Sequence, residues 1–379
     1  MPDPILVTGG AGFIGANLIR HLLESGAQPR VLDDFSTGRW EHLSAVEHQI
    51  EVEEGDVRDL RTLRRAAEGV GAILHLAAVA PGGPRDDEAR TLDVNVKGTL
   101  DALMVARELR IPLVFASSAA VYGARDACLL HEQMPPEPRT ALGVYKLAGE
   151  NLCRLFHERH GVQTVVLRIF HTFGPFEDGS SPHAGVVARF AHSLAAGKKS
   201  VVFGDGLQTR DLVYVSNVCE AFVQALRSRD AKGGFFNVGS GEGIAINLLY
   251  QQLCELGGVP CAPARGPARP GDTRHVRAAL GHAAKGLCYA PRVRLREGLE
   301  RTMAWHRERA VAERDRAWFS GQPPAASAAA EKSAPAPAPA LAPAPARPPR
   351  PAPAAASAQE PDEIEADDIP MLELEELGA

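Results

Sequence analysis

The sequence predicts a doubly wound α/β fold, a parallel sheet with helices on both faces, followed by a smaller C-terminal substrate domain and a disordered tail. Three observations predict it. Short apolar runs alternate with amphipathic stretches through the first 170 residues, a glycine-rich turn joins the first run to the first amphipathic stretch, and beyond about Phe319 the composition shifts abruptly to Ala, Pro and Ser.

In chain order, residues 5–8, 30–33, 72–76, 113–117 and 164–168 read as strands. Between them, 14–25, 60–68, 89–109 and 143–159 carry helical periodicity. Strands and helices of these lengths imply parallel βαβ units. From about 172 to 310 the pattern breaks into shorter, Gly- and Pro-rich pieces, which suggests a substrate-holding domain beside the sheet. The expected division is 1–171 for a dinucleotide-binding domain, with part of 212–240 returning to it, 172–310 for the substrate domain, and 320–379 for the tail.

The tail has two parts. Residues 321–358 repeat Ala-Pro-Ala-Pro and have little apolar area to offset ordering entropy, so an extended linker is expected. Residues 359–379 mix acids with Ile364, Ile369, Met371, Leu372, Leu374 and Leu377, which reads either as a short motif that folds on a protein partner or as a solubilising end. The charge is concentrated here. From Gly321 onward ten acidic residues face three basic ones, so the net charge of −6 belongs to the tail and the body lies near +1. Basic clusters are absent, which argues against nucleic acid. Residues 1–310 contain no apolar run long enough to span a membrane, and the N-terminus lacks the features of a signal peptide. Six cysteines, at 128, 153, 219, 254, 261 and 288, form no CxxC pair and have no His partner at metal spacing. Reduced thiols, no metal and a cytoplasmic location are the expectation.

The run at 5–8 leads straight into Gly9-Gly10-Ala11-Gly12-Phe13-Ile14-Gly15. Glycines at 9, 12 and 15 tighten the turn, let backbone approach a pyrophosphate and let helix pack on strand, while the helix N-terminus offers free N–H groups. The second strand ends in Asp33, about twenty residues on, where a carboxylate accepts bonds from the adenosine ribose and repels a 2′-phosphate. NAD is therefore expected over NADP.

Further motifs follow in order: Gly55-Asp56-Val57, His75-Leu76-Ala77-Ala78, residues 95–99 and 117–123, Gly204-Asp205-Gly206, residues 208–211, Asn237-Val238-Gly239 and residues 269–272. Together with residues 8–15 and Asp33 they resemble the NAD-dependent epimerase/dehydratase family of extended short-chain dehydrogenase/reductases, over about 4–307. The resemblance implies a Rossmann sheet, tightly held NAD, a nucleotide-diphosphate sugar substrate and a homodimer. It implies that Asp56 and Val57 meet the adenine, that Leu76, Ala77 and Ala78 line the cofactor, and that Asn95 supports it. Ser118 would bond the sugar oxygen undergoing oxidation and Lys146 the nicotinamide ribose. Arg210 and Arg269 would hold the diphosphate with Asp272 near the nucleoside, and His171 stands where the family has an asparagine contacting substrate phosphate.

One departure matters. The family's Tyr-x-x-x-Lys pattern is represented here by Leu142 and Lys146, with Tyr145 where serine is usual. Leucine cannot transfer a proton. Three readings stay open. Tyr145 has taken over the role, although it sits about 4.5 Å further along the helix axis. Alternatively another group serves, such as Ser118 through a water, Tyr122, Cys128, His131 or His171. In the third, the chain is a catalytically impaired NAD and nucleotide-sugar binder with an interaction tail. Ala119-Ala120 also replace the Asp-Glu pair of the family's 4,6-dehydratases, which disfavours that reaction and leaves epimerisation as the default.

Overall fold

The computed structural model describes residues 4–80, 87–125, 129–269 and 272–319. The chain divides into two units, Met1–Pro324 and Ala325–Ala379, and the second lies outside the described residues. The expectations for the tail and for Cys128 therefore fall outside them as well.

The first half runs β1 (Ile5–Thr8), α1 (Phe13–Glu24), β2 (Pro29–Asp33), β3 (Glu51–Glu54), α2 (Leu60–Ala66), β4 (Ala72–His75), α3 (Glu88–Leu92), α4 (Gly98–Leu109), β5 (Leu113–Ser118), α5 (Ala141–His160) and β6 (Thr164–Ile169). The second half runs β7 (His171–Phe173), α6 (Val186–Ala195), β8 (Val201–Phe203), β9 (Thr209–Tyr214), α7 (Val215–Arg227), β10 (Phe235–Val238), β11 (Gly243–Ala245), α8 (Ile246–Gly257), β12 (Ala264–Gly266), α9 (Gly281–Leu287) and α10 (Leu295–Phe319). Seven strands form one parallel sheet in the order β10-β6-β5-β4-β1-β2-β3. Strand order reverses between β1 and β4, which opens a crevice at their C-terminal ends. Smaller sheets, β11-β9-β7 and β12-β8, are built from the second half.

The inner strands are apolar on both faces because helices cover both. Every residue of β1, β4 and β6 is buried. β3, by contrast, reads Glu-Val-Glu-Glu at the sheet edge, where Arg30 and Arg65 pair with Glu51 and Glu53. Its acids hide its strand pattern from a periodicity reading.

Two polar arrangements in the core fix the crevice walls. In the first, the Thr99 hydroxyl donates to the Asn95 carbonyl (2.7 Å), so Thr99 Oγ1 must accept from His75 Nε2–H (3.2 Å). His75 Nδ1 then accepts from the Thr8 hydroxyl (2.8 Å), whose oxygen accepts from Ala77 N–H (3.3 Å). The chain ties β1, β4 and α4 together only while His75 is neutral, and burial holds its pKa down to about 3. In the second, Arg168 on β6 donates from Nε and Nη2 to both carboxylate oxygens of Glu150 on α5 (2.9 and 2.7 Å). Ser117 donates to the same carboxylate at 2.5 Å, and Arg168 also reaches the Tyr122 hydroxyl at 3.1 Å. Glu150 is fully buried, so the pair and its hydrogen bonds are one unit.

α5 starts where the Thr140 hydroxyl accepts from Gly143 N–H and stops at Gly161 in the left-handed region. It lies very close to β5. A Cβ at Gly149 would fall 2.5 Å from the Phe115 ring, so only glycine lets the helix bring Lys146 to the crevice.

Arg168→Met strands a buried carboxylate and is expected to lower unfolding stability by about 3–5 kcal/mol, read by thermal or urea denaturation. A loss below about 1 kcal/mol would show that the pair is dispensable. The His75 chain sets a pH dependence. The folded pKa lies below the ordinary 6.5, so its contribution is complete above pH 6.5 and is lost as pH falls from 6.5 toward about 3. Melting temperature measured across that range should fall, and the fall should be shallower in a His75→Asn variant.

Candidate active site

The crevice at the C-terminal ends of β1 and β4 is a cleft of about 520 Å³. Its floor is the turn between β1 and α1. Gly9 has φ +71°, and a Cβ there would meet Ala77 N at 2.8 Å. A Cβ at Gly15 would lie 2.2 Å from the Gly9 carbonyl, so α1 can approach β1 this closely only with glycine. At Gly12 the nearest atom to an added Cβ is the Gly9 carbonyl at 3.3 Å, and no side chain caps α1 at this residue. Gly12, Phe13, Ile14 and Gly15 line the cleft, so the first N–H groups of α1 are available to an anion there. This cradle fits a dinucleotide pyrophosphate.

The adenosine end is acidic. Asp33 is buried, its Oδ2 accepting from Ala11 N–H and its Oδ1 from Phe35 N–H, both at 2.9 Å. Burial pushes its carboxyl up, against the pull of those two donors. Asp34, Asp56 and Val57 line the same end, with Asp56 gripped by Arg58 Nε at 2.9 Å and Nη2 at 2.6 Å. Among the described lining residues Lys146 is the only lysine or arginine, and the arginines beside this end, Arg58 and Arg90, are paired with Asp56 and Asp34, so the face offered to a 2′-phosphate is acidic.

At the other end Leu76, Ala77 and Ala78 form one wall, and Ser118, Leu142, Lys146 and Phe170 the opposite one. Ser118 terminates β5 and its oxygen accepts from Ala120 N–H at 3.1 Å. Lys146 is buried, with Nζ 5.0 Å from the Phe115 ring centre, and desolvation lowers its pKa to about 8. Leu142 lies one turn before Lys146 on α5 and faces the same cavity. Tyr145 is half-buried on the same helix but is not among the lining residues. Asn95 sits in the π-helical turn Asp93–Lys97 behind the wall, where its amide donates to and accepts from the Val79 backbone (2.8 and 3.0 Å).

The other replacement bases fare differently. Tyr122 is fully buried, its hydroxyl donating to Asn237 Oδ1 at 2.7 Å, and burial pushes its pKa up to about 12. Neither Tyr122 nor the exposed His131 lines the cleft.

His171, Arg210, Arg269 and Asp272 line a second cleft of about 630 Å³. Arg210 pairs with Asp272, and Arg269 stacks 4.0 Å from the Phe203 ring centre. Desolvation, with Arg210 nearby, holds His171 neutral at a pKa of about 4, although its surface is open to the cleft. Two residues escape a reading of the sequence. Arg189 on α6 adds a further guanidinium to this cleft, its pKa lowered by burial and by the like charge of Arg269. Glu177 lines the first cleft. The first could be sought in a basic residue interrupting an apolar helix face, the second in an acid just after the Gly174-Pro175 turn. The clefts share a wall: Phe170, Thr172 and Glu177 line the first, while His171 and Gly179 line the second. No described helix is long and apolar enough to cross a membrane, and no cluster of three metal-ligating side chains occurs among the described residues.

This chain is similar to proteins of known kind. The family model for the NAD dependent epimerase/dehydratase family matches residues 5–239. UDP-glucose 4-epimerase of Mycolicibacterium smegmatis is 35% identical over 313 residues, covering 80% of this chain and 98% of the relative. The crystal structure of Thermotoga maritima UDP-glucose 4-epimerase with UDP-glucose superposes with a TM-score of 0.76 at 31% identity, covering 81% of this chain and 99% of that one. The Thermus thermophilus UDP-glucose 4-epimerase complex with NAD gives 0.72 at 32% identity, over 80% and 99%.

Asp33→Ala removes the carboxylate that opposes a 2′-phosphate. Fluorescence titration should show the preference for NAD over NADP reduced about tenfold or more, equivalent to about 1.4 kcal/mol. An unchanged ratio would place the discrimination elsewhere.

Proposed function

This chain belongs to the NAD dependent epimerase/dehydratase family, and from that premise we propose that it is a nucleotide-sugar epimerase or close relative working through a transient keto sugar. The observation that carries this reading is the shared wall. A dinucleotide cradle and a cleft rich in guanidinium groups meet along residues 170–179. A sugar nucleotide with its diphosphate among Arg189, Arg210 and Arg269 would direct its sugar toward Ser118 and Lys146. Arginine suits this role because its planar donors match phosphate oxygens, and these three arginines with Lys199, against one paired carboxylate, Asp272, leave positive charge for an anion.

When bound, NAD supplies a hydride acceptor that can return the hydride. The chain's own residues do the rest. Ser118 bonds the sugar oxygen, Lys146 orients the ribose and adds positive charge, and the leucine and alanine walls exclude water. Asn95 and the His75 chain, from behind, fix the backbone of Val79 and Ala77 in that wall. Leu142 supports a second reading, an impaired binder, because it fills the cavity beside Lys146 with a group that cannot move a proton.

The wider assembly is part of the same proposal. Exposed Leu92, Met104, Val144 and Leu155 on α3–α5 support a homodimer formed across those helices. The acidic end at 359–379 is read as a protein-binding arm, and the reduced cysteines as marks of a cytoplasmic protein.

Proton NMR of UDP-glucose, UDP-N-acetylglucosamine and UDP-glucuronate, each incubated with protein and NAD, should show conversion of one of them. Saturable line broadening without conversion would favour the binder. Arg189→Ala and Arg269→Ala should each raise the KM of the converted sugar nucleotide about tenfold to a hundredfold, because a charge-assisted bond is worth about 1.5–3 kcal/mol. An unchanged KM in both would remove the diphosphate from this cleft.

A further inference from the structure

The dinucleotide cradle turns on one buried carbonyl. Ala11 lies inside the glycine-rich turn, fully buried, and the peptide groups on both of its sides are held. Its N–H donates to Asp33 Oδ2 at 2.9 Å. Its carbonyl accepts from Arg39 N–H at 3.1 Å and meets His42 Nδ1 at 2.9 Å. A carbonyl can only accept, so Nδ1 carries the proton. Burial lowers the pKa of the ring and keeps it neutral, with Nε2 sealed from solvent and unprotonated.

The bond matters because of where that carbonyl sits. It belongs to the peptide joining Ala11 to Gly12, and Gly12 is the residue from which α1 starts, at φ −74° and ψ 177°. A trans peptide is planar, so holding its C=O also sets the direction of the Gly12 N–H, which bonds the Gly9 carbonyl at 3.2 Å. The helical ladder begins only at Ala16, whose N–H donates to the Gly12 carbonyl at 2.9 Å. The N–H groups of residues 13–15 are left for a pyrophosphate, and no side chain caps them. Their aim follows from the plane that His42 holds.

His42 is itself held by the segment between the two clefts. The Phe176 ring lies 5.2 Å from the imidazole, with Arg20 4.4 Å over the same ring and Trp305 5.9 Å away. Phe176 has φ +71°, a left-handed backbone that an aromatic residue keeps only where its surroundings offset the strain. Here they do. Asn17 donates to the Pro175 carbonyl at 2.9 Å, and Asp178 pairs with the side chain of Arg39, the residue whose N–H also serves Ala11.

We propose that His42 is the positioning residue of the cofactor cradle: its Nδ1–H fixes the peptide between Ala11 and Gly12 and so aims the first N–H groups of α1 at the pyrophosphate of NAD, while Phe176 keeps the imidazole in place. The inference concerns NAD alone and is independent of which sugar nucleotide occupies the second cleft.

The test uses the full chain as wild type, His42→Asn and His42→Phe, with NAD affinity measured by equilibrium dialysis and stability by thermal melting. Asparagine places an N–H the same number of bonds from the backbone as Nδ1 but has no ring. Phenylalanine keeps a ring against Phe176 but cannot donate. His42→Phe should bind NAD about threefold to tenfold more weakly, the weight of one neutral hydrogen bond, and His42→Asn should stay within about twofold of wild type whatever its melting temperature. A residue that only fills space would give the reverse order. Affinity in His42→Asn no better than in His42→Phe therefore overturns the proposal, as does unchanged affinity in His42→Phe. Phe176→Leu should weaken NAD binding in the wild type and add nothing in His42→Phe, because it acts through the imidazole bond. Additive losses would overturn the part given to Phe176.

Discussion

The cleft depends on how closely three pieces of backbone approach one another at the C-terminal ends of β1 and β4. A single methyl group at Gly15 would sit 2.2 Å from the Gly9 carbonyl, and one at Gly9 would collide with Ala77. Without that contact α1 could not present its uncapped N-terminus to the cavity, and β4 could not lead Leu76, Ala77 and Ala78 along its wall. The hydrogen-bond chain from Ala77 through Thr8, His75 and Thr99 to Asn95 holds the same strands from beneath. Asn95 continues it sideways to Val79. Cofactor cradle, wall and sheet centre are therefore one mechanical unit.

Burial also sets the chemistry of this unit. Taking a titratable group out of water favours its neutral form, which lowers lysine and histidine and raises carboxylic acids. Lys146 is lowered to about 8 and Glu177 is raised to about 7. Both lie on the first cleft. The opposite strategy appears at Glu150 and Arg168, where an ion pair is kept charged by mutual contact and by Ser117 and Tyr122. That pair braces α5 against β5 and β6, and α5 carries both Lys146 and Leu142. The ion pair and the shifted pKa values thus depend on the same low-dielectric interior, with paired charges in one place and unpaired groups in the other.

What the sequence made legible was local. Gly9, Gly12, Gly15 and Asp33 announce themselves because the turn and the strand end require those residue types at that spacing, and the apolar runs at 5–8, 113–117 and 164–168 mark inner strands buried on both faces. β3 was not legible, because an edge strand of Glu51, Val52, Glu53 and Glu54 draws its stability from ion pairs with Arg30 and Arg65, not from apolar alternation. Tyr122 looked available in sequence and is closed off by Asn237, a residue 115 positions away. Glu177 was invisible for the converse reason. Its cavity is assembled from segments ending near Ser118, Leu142, Phe170 and Gly185, and no spacing rule joins them.

The central claim is that these two clefts bring a sugar carbon to NAD for oxidation despite Leu142. The most direct measurement is a rapid-mixing experiment, in which NAD-loaded protein meets the sugar nucleotide while the near-ultraviolet band of reduced nicotinamide is followed. The account predicts a rise in that band, bounded by the amount of bound cofactor, as the keto sugar forms. A sugar nucleotide that binds saturably while the absorbance stays flat would contradict it, and would identify the clefts as a binding device.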